Sequence, residues 1–180
     1  MRRIILYIAT SLNGKIARAD GSVKWLESMP NPDQNDYGYN DFLKSIDTTI
    51  MGYNTYQQIL DWGIDFPYRE KKNFVLTRKK QPVFSEYVEF INSDPIKKLR
   101  EIKVQNGKNI WLIGGAEVNT LLFNANLIDE IRLFIMPIVI PDGIELLAQM
   151  PEQKYLELLE NKSYSSGAIE LQYRVKNEEG

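Results

Sequence analysis

Residues 110–122 read Ile-Trp-Leu-Ile-Gly-Gly-Ala-Glu-Val-Asn-Thr-Leu-Leu. Four apolar residues in succession suit a strand covered on both faces. After the two glycines, apolar residues recur at Val118, Leu121, Leu122 and Ala125, the spacing of one helical face. A strand passing through Gly114 and Gly115 into a helix opening at Ala116 lets a ligand approach the backbone closely. There, the N–H groups of the first helical turn lack internal partners and carry partial positive charge. The same junction also serves as a tight turn that needs only glycine.

The neighbouring patterns extend this reading. Thr48-Thr49-Ile50-Met51 leads through Gly52 into Tyr53-Asn54-Thr55, a second strand–glycine–helix junction in which Asn54 or Thr55 can equally act as a helix cap. Strands are expected over 4–10, 48–52, 73–77, 88–92, 109–113, 130–140, 155–163 and 169–176. Helices are expected over 33–45, from Asn54 or Thr55, from Asp94 with Pro95 in its first turn, and from Ala116. Segments 27–35 and 61–72 read as surface loops. Ser165-Ser166-Gly167 joins the last two strands as a hairpin. Pro137 marks an edge, a bulge or a sheet end. Together these predict one α/β domain over 1–180, with a mainly parallel sheet and an antiparallel C-terminal hairpin.

Composition narrows the chemistry. The 180 residues include no His and no Cys. That excludes Ser-His-Asp and Cys-His nucleophiles, Cys/His zinc sites, thiol redox chemistry and disulfides. A net charge of −2 argues against broad nucleic-acid binding. No run reaches the roughly 18 apolar residues of a membrane helix. The Arg2-Arg3 start and short apolar run read as a first strand rather than a secretion signal, so a cytoplasmic location is expected.

Other residues qualify as site candidates with plain alternatives. Arg78, Lys79 and Lys80 follow the strand 73–77 as either a solvated turn or a cationic phosphate partner. Asp36 is expected on the inward face of the helix over 33–45, where burial would raise its pKa toward that of a proton donor. An exposed first-turn role at the helix dipole, for Asp36 or Asp33, is the alternative. Trp25 can stack on a flat ring or pack in the core, and Tyr56, early in the second helix, reads as ordinary packing.

Five motifs occur in order: Ser11-Leu12-Asn13-Gly14-Lys15-Ile16-Ala17, Ile50-Met51-Gly52-Tyr53-Asn54-Thr55-Tyr56, Phe74-Val75-Leu76-Thr77-Arg78, Ile113-Gly114-Gly115-Ala116-Glu117 and Ile128-Asp129-Glu130-Ile131-Arg132 running on to Pro137. This order resembles the dihydrofolate-reductase-like family, specifically the branch of the RibD C-terminal reductase domain of riboflavin biosynthesis. The resemblance implies a three-layer α/β fold and an NADPH-dependent reductase of a small pteridine- or pyrimidine-like heterocycle. The riboflavin-pathway 5-amino-6-(5-phosphoribosylamino)uracil reductase is the nearest analogue, with dihydrofolate reductase as an alternative. It further implies that Ile113, Gly114, Gly115, Ala116 and Glu117 meet the cofactor pyrophosphate, with Gly52 and Thr55 at the second junction. Thr77 and Arg78 would stand at the ribose 2′-phosphate, Ala9 and Ile16 at the nicotinamide, and Asp36, Trp25 and Tyr56 at the substrate. Tyr53 stands where the family usually has Arg, and Asn13 where Asp is common. Relatives of this branch pair as homodimers, which is the expectation here. A non-catalytic nucleotide or flavin binder is the alternative from another class.

Overall fold

The computed structural model describes residues 1–80 and 85–176. Its elements are β1 (Ile4–Ser11), β2 (Lys15–Arg18), α1 (Lys24–Glu27), α2 (Tyr39–Ser45), β3 (Ile46–Gly52), α3 (Tyr53–Leu60), β4 (Lys72–Leu76), β5 (Glu89–Ile91), α4 (Pro95–Val104), β6 (Asn109–Gly114), α5 (Ala116–Asn124), β7 (Glu130–Met136), β8 (Gly143–Glu145), β9 (Leu156–Ser163) and β10 (Ile169–Val175). Eight strands form one sheet in the order β5-β4-β3-β6-β1-β7-β10-β9, and β2 pairs with β8 separately. The strands from β5 to β7 are parallel. β10 runs antiparallel to both β7 and β9, as the hairpin reading expects.

Alternation along the strands builds three layers. Ile4, Leu6, Ile50, Ile110 and Leu112 point to one face, where Leu99 and Ile102 of α4 and Val118 and Leu122 of α5 cover them. Ile5, Met51, Val75 and Trp111 point to the other, against Phe42 of α2 and Tyr56 and Ile59 of α3. A third cluster, Trp25, Phe134, Met136, Ile140 and Ala168, lies beside the carboxyl end of β7.

Three expectations are corrected. The helix over 33–45 is only Tyr39–Ser45. Gln34, Tyr37 and Gly38 adopt positive φ of 47°, 55° and 76°, which a right-handed helix does not accommodate. Asn31, Asn35 and Asp36 side chains also hydrogen-bond nearby backbone groups, holding the segment in turns. The strand over 130–140 stops at Met136, and Pro137 follows it as a sheet end. The loop over 61–72 is not confined to the surface: Phe66 and Tyr68 are buried in the core. The buried Asn73 amide fastens it by donating to the carbonyls of Tyr68, Lys71 and Tyr87.

Candidate functional site

The carboxyl ends of β4, β3, β6 and β1 stand side by side. In open parallel sheets this is where ligands lie. Both glycine junctions are found there. Gly52 precedes α3 and Gly115 precedes α5, and neither helix start has a side-chain cap. Their first-turn N–H groups are therefore free of side-chain acceptors. The junctions form one cradle, because the Thr55 hydroxyl donates to the Gly114 carbonyl at 3.3 Å. Added side chains would intrude. A Cβ on Gly115 would sit 3.2 Å from Thr55 Oγ1, and one on Gly52 would sit 3.1 Å from Val118 Cγ2. Gly114 and Gly115 also hold φ of 124° and 100°, which L side chains rarely adopt.

Around the cradle, Ala116 and Glu117 form the first turn of α5. Ile113 falls at a shift in register, since Ile50 pairs with Leu112 and Met51 with Gly114. Thr77 continues from β4, its N–H donating to Ile91 O at 3.0 Å. Arg78 is exposed and bonds Glu117 at 2.8 Å, so the two residues expected at opposite ends of the cofactor's phosphates meet across the cradle. The ammonium of Lys79 lies 4.1 Å from the centre of the Tyr53 ring. A cation thus stands over Tyr53 at the start of α3.

The group implied for this cradle is a nicotinamide dinucleotide, and the residues fit it. Asn119 is fully buried beside Gly114, and its Oδ1 has no hydrogen-bond partner. A Cβ on Gly114 would come within 3.4 Å of that oxygen. The uncapped helix starts and the close backbone approach that the glycines allow are what suit the phosphates of such a ligand.

Next to the cradle, a cavity of about 440 Å³ opens where β1 meets β7. Tyr7, Ala9, Phe134, Met136, Tyr37 and Tyr39 wall it, and Glu27 and Asp36 stand in its lining. Ala9 and Phe134 are register partners, which puts Tyr7, Ala9, Phe134 and Met136 on one sheet face. The Tyr7 hydroxyl donates to the Tyr37 carbonyl at 3.2 Å. Burial, and next the Glu170 carboxylate, push the Tyr7 phenol well above its ordinary pKa, so it stays protonated.

The cavity gathers some expected residues and leaves others out. Ala9 lines it, whereas Ile16 lies half-buried in β2. Asp36 lines it but is exposed, outside α2, and held ionised. The N–H groups of Asn40 and Gly38 donate to its carboxylate and keep its pKa below the ordinary value. The expected rise is therefore overturned: Asp36 caps the start of α2 and is not a poised acid. Trp25 is 2% exposed and packs behind Phe134 and Met136, with its indole N–H unpartnered. Tyr56 packs against Phe66 and Phe90 in the core. Neither Trp25 nor Tyr56 lines the cavity. Asn13 has a structural reason to be an amide: it accepts from Ile140 N–H and donates to Ile140 O, and an aspartate cannot make the second bond.

Sequence reading missed Tyr7, Tyr37, Tyr39, Phe134 and Met136 as cavity walls. The usable signal was the two-residue spacing of Tyr7 and Ala9 and of Phe134 and Met136.

A three-layer α/β unit with a parallel sheet, an antiparallel closing hairpin and a glycine cradle beside an aromatic cavity has the dihydrofolate-reductase-like architecture. Dihydrofolate reductase from Enterococcus faecalis, complexed with NADP(H), shares this fold with a TM-score of 0.68 at 13% identity, over 97% of each chain. Within that architecture the chain belongs to the RibD C-terminal domain family, which matches residues 2–169. The uncharacterized protein YwjB of Bacillus subtilis is 35% identical over 172 residues, covering 96% of this chain and 97% of its own length. A crystal structure from Shewanella sp. PV-4, provisionally described as a riboflavin biosynthesis protein, superimposes with a TM-score of 0.86 at 26% identity. It covers 98% of this chain and 100% of that one. Family and fold are those of reductase-type enzymes. Among the described residues, no helix is long and apolar enough to cross a membrane.

Proposed function

We propose that the protein is an NADPH-dependent reductase of a small planar heterocycle, related to the riboflavin-pathway reductases. The observation that carries this is the joined cradle of Gly52, Thr55, Gly114 and Gly115 at the edge of an aromatic cavity. A bound nicotinamide supplies the hydride. The chain's own residues do the rest. The starts of α3 and α5 hold the pyrophosphate through free N–H groups. Thr77 and Arg78 stand at the ribose phosphate, and Arg78 can leave its exposed pairing with Glu117 at little cost. Ala9 has no bulk to block the nicotinamide face. Tyr7, Tyr37, Tyr39 and Phe134 orient the flat substrate. Asp36 is held ionised and so has no proton to give, while Tyr7 keeps its phenol proton beside the cavity; the proton that balances the hydride is drawn ultimately from solvent.

A thermal-shift titration with NADPH and NADH tests the reading. Ligand at about 100 times its dissociation constant stabilises by roughly 2.7 kcal/mol. An NADPH-selective rise, followed by loss of nicotinamide absorbance on adding a heterocycle, is expected. No shift with either dinucleotide at millimolar concentration would sink the proposal. A shift without turnover on any pyrimidine or pteridine would favour a nucleotide binder instead. The same proposal includes a homodimer. The β9 edge, with Leu156, Leu158 and Leu159 over 40% exposed, is the surface for a second copy, and sedimentation analysis tests it.

A further inference from the structure

The chain contains the dipeptide Asn-Gly twice, at Asn13-Gly14 and at Asn106-Gly107. In this dipeptide the glycine backbone nitrogen can attack the asparagine amide carbon, since no side chain on the glycine hinders the approach and its backbone bends freely. Both asparagines are exposed, so exposure does not tell them apart. Their hydrogen bonds do.

Asn13 is locked at both reacting groups. Its Oδ1 accepts from Ile140 N–H at 3.1 Å and from the Ser11 hydroxyl at 2.8 Å, and its Nδ2 donates to Ile140 O at 2.9 Å. The Gly14 N–H, which would be the nucleophile, donates to Ser11 O at 3.0 Å. Attack at this copy must first break these bonds. The second copy lies in the exposed bend between α4 and β6. Among the described residues, neither the Asn106 side-chain amide nor the Gly107 N–H has a hydrogen-bond partner.

We propose that Asn106 is a site of spontaneous covalent modification, converting to isoaspartate and aspartate and thereby loosening the anchor of buried Arg2, while the fold preserves Asn13. The Gly107 nitrogen loses its proton and bonds to Asn106 Cγ. The Cγ–Nδ2 bond breaks, ammonia leaves, and a succinimide ring closes. Water then opens the ring at one of its two carbonyls. Opening at Cγ gives aspartate with the main chain unchanged. Opening at the backbone carbonyl gives isoaspartate, whose main chain runs through Cβ and Cγ and is longer by one carbon. No oxidant or reductant is consumed.

The added carbon falls where the chain has little slack. Gly107 passes so close to the Arg2–Asp47 pair that a Cβ on it would sit 2.7 Å from Asp47 Oδ2 and 3.0 Å from Arg2 Cζ. The next residue is part of the same network: Lys108 N–H donates to Asp47 Oδ2 at 2.9 Å, and Lys108 O accepts from Arg2 Nε at 2.6 Å. Isoaspartate displaces these groups directly. Aspartate adds a charge to the bend but leaves the chain length as it was.

Incubating the purified protein in mildly alkaline buffer at physiological temperature tests this without any ligand, so the reductase reading stands or falls separately. Tryptic peptide 104–108 should gain the mass of an amide turned acid and become a methyl acceptor for an isoaspartate-specific carboxyl methyltransferase. Peptide 4–15 should convert at least ~10-fold more slowly, because Asn13 reacts only after local opening. In denaturant the two peptides should convert at similar rates, since the contrast belongs to the fold. Asn106→Gln should abolish the early conversion. The isoaspartate fraction should melt about 3 °C below fresh protein, and Asn106→Asp within about 1 °C of it. Equal conversion of both peptides in the folded protein overturns the proposal. So does a 104–108 peptide still intact once the denatured control has converted, or an isoaspartate fraction that melts with the fresh protein.

Discussion

At the amino end of the sheet, the buried Arg2 side chain donates to Lys108 O, Asp47 and Thr48 Oγ1. At the carboxyl end, Asn119 Oδ1 and the Trp25 indole N–H are buried with no partner at all. The amino end continues in the same manner. Lys103 bonds Asp129 at 2.7 Å, Asp129 accepts from Ile4 N–H at 2.7 Å, and the buried Glu130 is held by both Arg3 and Arg132. At the carboxyl end, α3, α4 and α5 all start without a side-chain cap, and two successive glycines before α5 hold positive φ. Polar groups saturated at one end and left open at the other divide the sheet into a stabilising end and a binding end. Substitutions at the two ends should therefore separate stability from ligand affinity.

The largest effect belongs to the amino end. Arg2→Ala strands Asp47 and Thr48 and should cost about 3 kcal/mol of stability, read from chemical denaturation. The folded remainder should bind NADPH as before. A variant of unchanged stability, or one whose affinity falls with its stability, would erase the division between the ends.

Gly115→Ala comes next and should show the reverse pattern. Its methyl meets Thr55 Oγ1 at φ 100° and stands in the path of the phosphates. Dinucleotide affinity should fall about a hundredfold, while backbone strain removes only about 1–2 kcal/mol of stability. Arg78→Ala is milder. Its pair with Glu117 is exposed on both sides, so the melting temperature should barely move. NADPH affinity should drop about tenfold with NADH affinity unchanged, because only the former carries the extra phosphate. Equal losses for both dinucleotides would remove Arg78 from that role and leave Lys79 over Tyr53 as the cation to test.

The binding end was legible in sequence where backbone conformation carries it, and obscure where side-chain turns do. Gly52, Gly114 and Gly115 announced themselves because strand, glycine and helix patterns adjoin in a single stretch. The layers also followed from alternation, since Ile4 and Leu6 face away from Ile5. Segment 31–38 misled because Tyr39, Phe42 and Leu43 do carry helical spacing and nothing in that pattern reports a left-handed Tyr37. The β2–β8 pair was invisible for another reason: three- and four-residue strands are too short to show a period. Buried Phe66 and Tyr68 hid inside a loop composition because their anchoring comes from Asn73, a polar residue in a neighbouring strand.

Acid titration offers the finest version of the comparison, because each end holds one carboxylate with a lowered pKa. At the amino end, burial works to raise Asp47 but is outweighed by the Lys108 N–H, the Thr48 hydroxyl and the Arg2 guanidinium. At the carboxyl end, Asp36 is lowered by the N–H groups of Asn40 and Gly38. A carboxylate with a lowered folded pKa contributes stability above its unfolded pKa and loses it as pH falls toward the folded value. Both groups should therefore steepen the loss of stability below the ordinary carboxylate range, and neither should matter in strong acid. Asp47→Asn should flatten that limb more, since it also strands the buried Arg2. Asp36→Asn should lower the neutral-pH melting temperature by about 1 °C, the smallest effect here, because Asn can still accept one of the two capping bonds. A flattening from Asp36→Asn as large as that from Asp47→Asn would mean that the α2 cap stabilises the fold as strongly as the buried network. The binding end would then not be the softer one.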